Sequence, residues 1–271
     1  MPELDQETPE VLYSVADHVA TITLNRPDRM NTISRVMLDS LADYLVAARD
    51  DADVRVVVLT GTGRAFCAGL EVTRVSNKGS RGVMDPNAGP RTTIDLRKIP
   101  PIILNELDKP TICALNGSAA GYGFDIAMGC DIRIMSDKAK LSAAFTKRGI
   151  VPESGGTWLL PRMLGWSKAA ELIFTGRTLS AAESLEMGLV SSIHPAEEIA
   201  ATAETIAAEI ASNAPLAVQA AKRMMRAGQN EPFPQHVHHV YLQLNALMRT
   251  DDVKEGMQSF VEKRPPVFKG K

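Results

Sequence analysis

Residues 116–125 read NGSAAGYGFD, and this glycine-rich stretch lies near the middle of a chain of 271 residues. A turn leads into the loop at Gly121 and Gly123, Asp125 follows directly, and a later loop carries Glu153. A glycine-rich turn that runs into a helix can direct backbone N–H groups at a developing anion, and a nearby carboxylate can move a proton. The stretch therefore predicts a site that stabilises negative charge on an oxygen atom.

The apolar pattern around this stretch predicts an α/β fold, in which strands and helices alternate. Expected strands lie at 11–15, 19–25, 54–60, 111–115, 132–135 and 141–144. Helices are expected at 35–49, from Ile126, and then at 167–174, 181–187, 197–213, 215–227, 234–248 and 252–263. The sequence thus indicates an α/β core followed by a helical C-terminal part.

Three segments read as loops or as interrupted structure. Residues 61–70 are expected to form a loop after a buried strand, and a helical stretch over 92–107 is expected to be interrupted at Pro100 and Pro101. Residues 76–90 are rich in Gly, Pro, Ser and Asn without periodicity, which indicates a mobile surface loop.

The composition argues against several classes of partner. The formal net charge is -2 and the pI is about 6.2, so the chain has no basic field for nucleic acid or a membrane surface. The sequence has no run of about 18 apolar residues, and residues 1–9 lack the basic and apolar regions of a secretory leader. We therefore expect a soluble cytoplasmic protein that binds neither nucleic acid nor membrane.

Neither a metal site nor a disulfide framework is expected. The three cysteines lie far apart in the chain, and their odd number suits packing as small apolar residues. His236, His238 and His239 have no carboxylate or cysteine at ligand spacing in the sequence, and they suit a solvated helix face.

Familiar nucleotide and hydrolase motifs are incomplete. A dinucleotide fingerprint beginning at Gly61 and Gly63 would need a third glycine where Phe66 stands. Ser118 and Ser154 lack the flanking glycines of a nucleophile elbow. The sequence therefore gives no support to ordinary serine hydrolase chemistry.

Short motifs along nearly the whole chain carry a family resemblance. They are LNRP at 24–27, RAFCAG at 64–69, KPT at 109–111, CD at 130–131, the segment 149–164 with its PR pair, and EGM at 255–257. In this order and spacing they resemble the enoyl-CoA hydratase/isomerase (crotonase) superfamily.

The resemblance implies a crotonase-type spiral of ββα units over residues 1–195, which holds a CoA-thioester site. A helical trimerisation region over residues 196–271 follows, and the implied assembly is a homotrimer or a dimer of trimers. The implied substrate is an acyl-CoA thioester. No cofactor is expected besides the coenzyme A of the substrate, because N–H donors can stabilise an enolate without a metal.

The same resemblance assigns an oxyanion hole to the backbone N–H groups of Leu70 and Tyr122. The implied positions for binding CoA or substrate are Arg26, Ala65, Phe66, Ala68, Gly69, Gly121, Phe145, Phe260 and Lys263. Arg26 would lie near the phosphates, and Phe260 and Lys263 would reach in from a neighbouring subunit. Surface charge or trimer packing is the competing explanation for these three residues.

The acid and base residues depart from the hydratase pattern. Hydratases of the family hold water between two glutamates, and the matching positions here are Asp125 and Phe145. Phe145 can neither hold nor deprotonate water, so classical hydratase activity is expected to be weak or absent. Glu153 matches a carboxylate that shuttles a proton in several isomerases of the superfamily. Burial beside Phe145 is expected to raise its pKa.

The resemblance therefore favours an enoyl-CoA isomerase with Glu153 as the base, and other interpretations stay open. An enoyl-CoA hydratase of the fatty-acid β-oxidation type could use Asp125 and Glu153 as an improvised pair. A non-catalytic acyl-CoA binding protein would keep the thioester pocket without proton transfer. Each of the two carboxylates could also simply suit the first turn of a helix.

Overall fold

The computed structural model describes residues 8–71 and 99–271. The strands are β1 (Val11–Ala16), β2 (Val19–Leu24), β3 (Val56–Gly61), β4 (Ala65–Cys67), β5 (Thr111–Leu115), β6 (Ser118–Ala120), β7 (Ile132–Ser136), β8 (Lys140–Ser142), β9 (Thr178–Ser180) and β10 (Ser192–His194). The α-helices are α1 (Arg35–Asp50), α2 (Pro100–Glu106), α3 (Tyr122–Gly129), α4 (Gly156–Leu164), α5 (Trp166–Thr175), α6 (Ala181–Glu186), α7 (Ile199–Ala211), α8 (Pro215–Gly228), α9 (Phe233–Leu247) and α10 (Asp251–Glu262). The predicted α/β class is confirmed, and the expected loop at 76–90 lies outside the described residues.

The larger sheet has six strands in the order β1-β2-β3-β5-β7-β10. The first two correspond to the strands expected at 11–15 and 19–25, and they form an antiparallel hairpin that turns at Asp17 and His18. Both turn residues have positive φ, at 47° and 66°, which matches the twist of the flanking strands. All pairs from β2 onward are parallel.

The smaller sheet has four strands in the order β4-β6-β8-β9. Its first three strands are parallel, and β9 runs antiparallel to β8. Each parallel strand follows a strand of the larger sheet and precedes a helix, which gives the units β3-β4-α2, β5-β6-α3 and β7-β8-α4. This order is the repeated ββα arrangement that the motifs predict.

The central strands of the larger sheet are buried on both faces. In β3, Val56 and Val58 pack in one apolar cluster, whereas Val57 and Leu59 pack in the other. Successive side chains of a strand point to opposite faces, so a continuous β-branched run suits this position. Helix α7 covers one face with a stripe at four-residue spacing, which consists of Ile199, Ala203, Ala207 and Ala211.

The last three helices expose much of their apolar surface. Helix α9 has no buried residue, and α10 buries only Asp252 and Ser259. Asp252 accepts hydrogen bonds from the backbone N–H groups of Lys269 at 2.7 Å and Gly270 at 2.9 Å. These bonds hold the C-terminal segment beside α10. In residues 8–71 and 99–271, no helix has the length and apolar character needed to cross a bilayer.

The structure corrects two of the predicted local features. Residues 61–70 contain β4 and are not only a loop. Helix α3 begins at Tyr122, earlier than expected, because Gly121 precedes it with φ 54° and ψ −126°, a conformation suited to glycine. Pro100 and Pro101 begin α2, whose first turn needs no N–H donors, and residues 92–98 of the expected helical stretch lie outside the described residues.

A buried asparagine joins the loop after β2 to the β3–β4 connection. The Asn31 side chain accepts a hydrogen bond from the Arg26 N–H at 2.7 Å. It donates to the carbonyl of Thr62 at 3.0 Å and to that of Ala65 at 2.8 Å. Asn31 is completely buried and has φ 52°, a region that asparagine tolerates better than most residues.

We expect Asn31→Ala to lower the free energy of unfolding by about 2–4 kcal/mol, because three backbone groups lose a hydrogen bond to a completely buried side chain. Chemical denaturation at fixed protein concentration measures the change. Asp39→Ala is the control, since it removes an exposed ion pair with Arg35 within α1 and should cost less than about 0.5 kcal/mol. Equal losses in the two variants would contradict a structural role for Asn31.

Candidate active site

The candidate site forms where three parallel strands of the smaller sheet end. The segment 68–70 follows β4, Gly121 and Tyr122 follow β6, and 143–145 follows β8. The carboxyl ends of parallel strands meet at one edge of a sheet, so these segments lie side by side. Chain segments distant in sequence therefore converge on one cavity.

This cavity has a volume of about 120 Å³. Its lining combines backbone, apolar side chains and one carboxylate, and consists of Ala68, Gly69, Leu70, Gly121, Tyr122, Phe145, Arg148, Ile150 and Glu153. All of these except Arg148 and Ile150 are residues that the sequence singled out. The structure thus brings the proposed N–H donors together with the proposed base.

The backbone segments that contain Leu70 and Tyr122 lie close together. A Cβ atom built on Gly69 would lie 3.0 Å from the Ala120 carbonyl oxygen and 3.7 Å from the Tyr122 nitrogen. The Ile33 N–H donates to the Gly69 carbonyl at 2.9 Å, which fixes the segment before Leu70. Within 8–71 and 99–271, neither the Leu70 N–H nor the Tyr122 N–H has a hydrogen-bond acceptor in the protein.

Helix α3 approaches β4 closely because position 123 has no side chain. A Cβ atom at Gly123 would lie 2.5 Å from both the Cβ and the carbonyl oxygen of Cys67. Burial raises the pKa of the Cys67 thiol to about 12, so this thiol packs as a neutral group. The contact sets how near the first turn of α3 comes to the end of β4.

Glu153 lies in the loop before α4 and lines the cavity. Its carboxylate reaches solvent, yet the surrounding protein removes enough water to raise its pKa, partly offset by a hydrogen bond from its own backbone N–H. A carboxylate with a raised pKa is suited to take up a proton and return it. The predicted direction of the pKa shift is confirmed.

Asp125 lies behind this loop and is not part of the cavity lining. Its side chain is completely buried in α3. One carboxylate oxygen, Oδ2, accepts hydrogen bonds from the N–H groups of Ser154 and Gly156, both at 3.3 Å. Burial is the main reason why the pKa of Asp125 is raised to about 7, and the charge of Glu153 raises it further.

The proposed CoA-binding residues outside the cavity have other partners. Arg26 forms ion pairs with Glu10 at 3.2 Å and Glu71 at 3.1 Å. Ala65 and Phe66 are buried in β4, with the Phe66 ring in the core. The structure therefore shows Arg26 in ion pairs and Phe66 in the core, and their contact with CoA stays a prediction.

Phe260 and Lys263 lie at the end of α10. Phe260 is 83% exposed, and Lys263 ends the helix with φ 53°. Neither residue lines the cavity within its own chain. Their expected role in a neighbouring subunit stays a prediction.

Sequence reasoning missed two features of the site. Arg148 and Ile150 complete the cavity wall, but they follow Phe145 in a segment without helical or strand periodicity. A larger cavity of about 550 Å³ also adjoins Glu153, on the side of α2, and includes Ile99, Ile102 and Trp158 in its lining. No motif marks this second cavity, because its walls meet only in the folded chain.

In the described part of the chain, no group of three or more metal-ligating side chains is suitably placed for an ion. Glu231, which sequence spacing did not single out, lies 3.0 Å from the His239 ring and 3.4 Å from that of His236.

The prediction that the cysteines pack as apolar residues is confirmed, since all three are free and buried.

Comparison with known proteins gives consistent matches over almost the whole chain. The sequence profile of the enoyl-CoA hydratase/isomerase family matches residues 14–271. The chain is 36% identical over 262 residues to (E)-benzylidenesuccinyl-CoA hydratase of Thauera aromatica. These residues cover 96% of this chain and 99% of that protein. It is 35% identical to 1,2-epoxyphenylacetyl-CoA isomerase of Escherichia coli, with 96% and 98% of the two chains covered.

The fold has close matches among solved structures. The crystal structure of an enoyl-CoA hydratase from Bacillus anthracis superposes with a TM-score of 0.85 at 34% identity, covering 97% of this chain and 100% of that chain. The resemblance inferred from the motifs is therefore confirmed, and so is the crotonase-type fold.

We expect Gly123→Ala to lower the free energy of unfolding by at least about 2 kcal/mol, because the new methyl group meets β4 backbone that has little room to move. Hydrogen exchange should also accelerate at the amides of 121–124. Gly129→Ala, at the other end of α3, is the control, because its new Cβ would come no closer than 3.7 Å to Leu104. If the amides of 121–124 exchanged at the wild-type rate in both variants, this would contradict the view that the close approach at Gly123 fixes the position of this segment.

Proposed function

Since this chain belongs to the enoyl-CoA hydratase/isomerase family, we propose that it moves the double bond of an enoyl-CoA thioester, with Glu153 as the base. The observation that carries this proposal is that Glu153 shares one cavity with the backbone at Leu70 and Tyr122. A carbonyl oxygen bound at those N–H groups would bring the adjacent carbon within reach of the carboxylate.

The two N–H groups would receive the thioester oxygen as it gains charge. Removing the proton next to a thioester turns the carbonyl oxygen into an enolate oxygen, and each donor placed there contributes about 3 kcal/mol of transition-state stabilisation. Neither N–H has another acceptor within the described ranges, so neither has to give up a bond within them to bind substrate.

One carboxylate is sufficient for the proton balance of a double-bond shift. Glu153 removes a proton from one carbon, the electron pair moves through the enolate, and the same proton returns to a different carbon. No atom enters from solvent. The buried Phe145 ring beside the cavity helps to keep water away while the carboxyl group carries the proton.

Two observations favour isomerisation over hydration. The position that holds a second glutamate in hydratases of the family is occupied by Phe145, which lines the cavity. Asp125, the other member of an improvised pair, turns its carboxylate to the backbone of Ser154 and Gly156. Water held between two carboxylates would therefore lack one of its partners.

The remainder of the substrate would lie along the end of β4. We place the pantetheine and adenine near 65–69, with Arg26 near the phosphates. The larger cavity next to Glu153, with Ile99, Ile102 and Trp158 in its wall, could accommodate an apolar acyl group. The chemistry requires no cofactor besides the coenzyme A of the substrate.

The C-terminal helices would form the contact between subunits of a homotrimer or a dimer of trimers. Met257, Phe260 and Val261 on α10 are 66%, 83% and 79% exposed. Met257 and Phe260 also line an apolar groove of about 480 Å³ between α8, α9, α10 and the C-terminal segment, which includes Leu244 and Phe268. Exposed aromatic and aliphatic residues beside such a groove suit burial against another copy of the chain.

We expect Glu153→Gln to reduce the shift of the double bond in 3-enoyl-CoA by at least about 100-fold in kcat while KM changes little, because the amide cannot accept the proton. The wild-type rate should rise with pH as Glu153 ionises, at a higher pH than for an ordinary glutamate, since its pKa is raised. Product chromatography over a range of pH measures both effects.

Glu171→Gln, an exposed carboxylate in α5, is the matched control for that experiment and should keep the wild-type rate. Hydroxyacyl-CoA containing solvent oxygen would instead identify a hydratase. Binding of the thioester without any turnover would identify an acyl-CoA binding protein.

We expect Phe260→Glu to dissociate the oligomer, because a charge would have to be buried in an apolar contact. Light scattering after size-exclusion chromatography measures the mass. Val36→Glu, at a 62% exposed position on α1, should leave the mass unchanged. A wild-type protein that is monomeric, or a Phe260→Glu variant of unaltered mass, would contradict this contact.

A further inference from the structure

We propose that Asp125 is a positioning residue. It fixes the orientation of Glu153 by accepting hydrogen bonds from the backbone that directly follows Glu153. This inference rests on the proposed role of Glu153 as the base. It assigns Asp125 no proton transfer to or from the substrate.

The hydrogen bonds of Asp125 hold the turn that carries the base. Ser154 directly follows Glu153, and Gly156 is the first residue of α4. Both donate their N–H to the same carboxylate oxygen of Asp125 at 3.3 Å. Gly155, between them, has φ 105°, so the chain turns sharply around the carboxylate.

The same short helix thereby supports both parts of the site. Helix α3 begins at Tyr122, which lines the cavity, and Asp125 lies about one turn further along. Because α3 is fixed against β4 at Gly123, the carboxylate of Asp125 is fixed with it. The distance between the oxyanion donor and the base is then set through one rigid element.

The length of the side chain matches the space available. A Cβ atom at Gly156 would lie 2.4 Å from Asp125 Oδ1 and 3.1 Å from the Cβ of Pro152. A glutamate at position 125 would have to place an additional methylene group in this space. The shorter carboxylate and the glycine therefore fit one another, which explains why this position holds an aspartate although its carboxylate does not reach the cavity.

The charges around Asp125 are consistent with this role. Glu153 and Tyr122 are the titratable groups that interact with it, and the charge of Glu153 raises the pKa of Asp125. Two neighbouring carboxyl groups are less stable when both are ionised. A protonated Asp125 still offers Oδ2 as an acceptor, so it can hold the turn while Glu153 carries the negative charge.

A matched pair of substitutions separates positioning from proton transfer. Asp125→Asn keeps an acceptor oxygen at similar size, whereas Asp125→Leu has similar size and no acceptor. We expect Asp125→Leu to lower kcat by about 30- to 100-fold with KM within about threefold, because displacing a base by roughly 1 Å has a cost of this order. Asp125→Asn should retain at least about ten times the kcat of Asp125→Leu. Equal losses of kcat in the two variants would overturn the proposal.

Hydrogen exchange gives a readout that does not depend on turnover. In the intact protein, the amides of Ser154 and Gly156 should exchange faster in Asp125→Leu than in Asp125→Asn, while amides in β5 keep the wild-type rate. Unchanged exchange at both amides would overturn the proposal even if the protein had no isomerase activity. An inactive wild type with the expected exchange pattern would overturn only the function proposed for Glu153.

Gly156→Ala serves if Asp125→Leu does not fold. The added methyl group pushes Asp125 and the turn apart without removing any ionisable group. It should lower kcat more than KM changes and accelerate exchange at Ser154. A Gly156→Ala variant with wild-type kcat and wild-type exchange would overturn the proposal.

Discussion

The approach of α3 to β4 at Gly123 is the contact on which the rest of the site depends. Backbone and a cysteine side chain meet there at a distance that excludes a single methyl group. Helix α3 therefore cannot move away from the end of β4 without opening the core. Because Tyr122 begins this helix and Leu70 lies just past the end of that strand, the contact sets the spacing of the two N–H groups. The proposed oxyanion site would thus be a property of backbone packing, in which side-chain identity has a secondary role.

Buried polar side chains extend this rigidity to the loops. Asn31 binds three backbone groups that precede Leu70, and Asp125 holds the turn that follows Glu153. A buried polar group that loses its partners is costly, so each of these side chains selects one loop conformation strongly. Loops that converge from different ββα units would otherwise have few contacts to fix their relative positions. The fold brings these loops together at the carboxyl edge of the smaller sheet, and the side chains of Asn31 and Asp125 fix the local conformation of the loops.

The sequence predicted the parts of this arrangement that depend on local pattern. The continuous apolar run of β3 and the four-residue spacing of the stripe in α7 are visible in the sequence, and Gly69, Gly121 and Glu153 belong to motifs with fixed spacing. Strands of three residues, such as β4 and β6, are too short to show a period, so residues 61–70 read as a loop. The direction of the Asp125 side chain could not be read from its position in α3. Whether a carboxylate faces a cavity or a backbone turn depends on which segments pack against its helix.

The separation of the two carboxylates has a chemical consequence. Asp125 and Glu153 are close enough for their charges to interact, yet only Glu153 lines the cavity next to the N–H groups. Burial makes ionisation of Asp125 costly and raises its pKa, while Glu153 is better solvated. The negative charge is therefore favoured on Glu153, the proposed base. Two carboxylates that act on one water molecule must both reach the cavity. In this chain Glu153 lines the cavity, whereas Asp125 binds the backbone of the turn behind it. One carboxylate in the cavity suits the movement of a proton within the substrate.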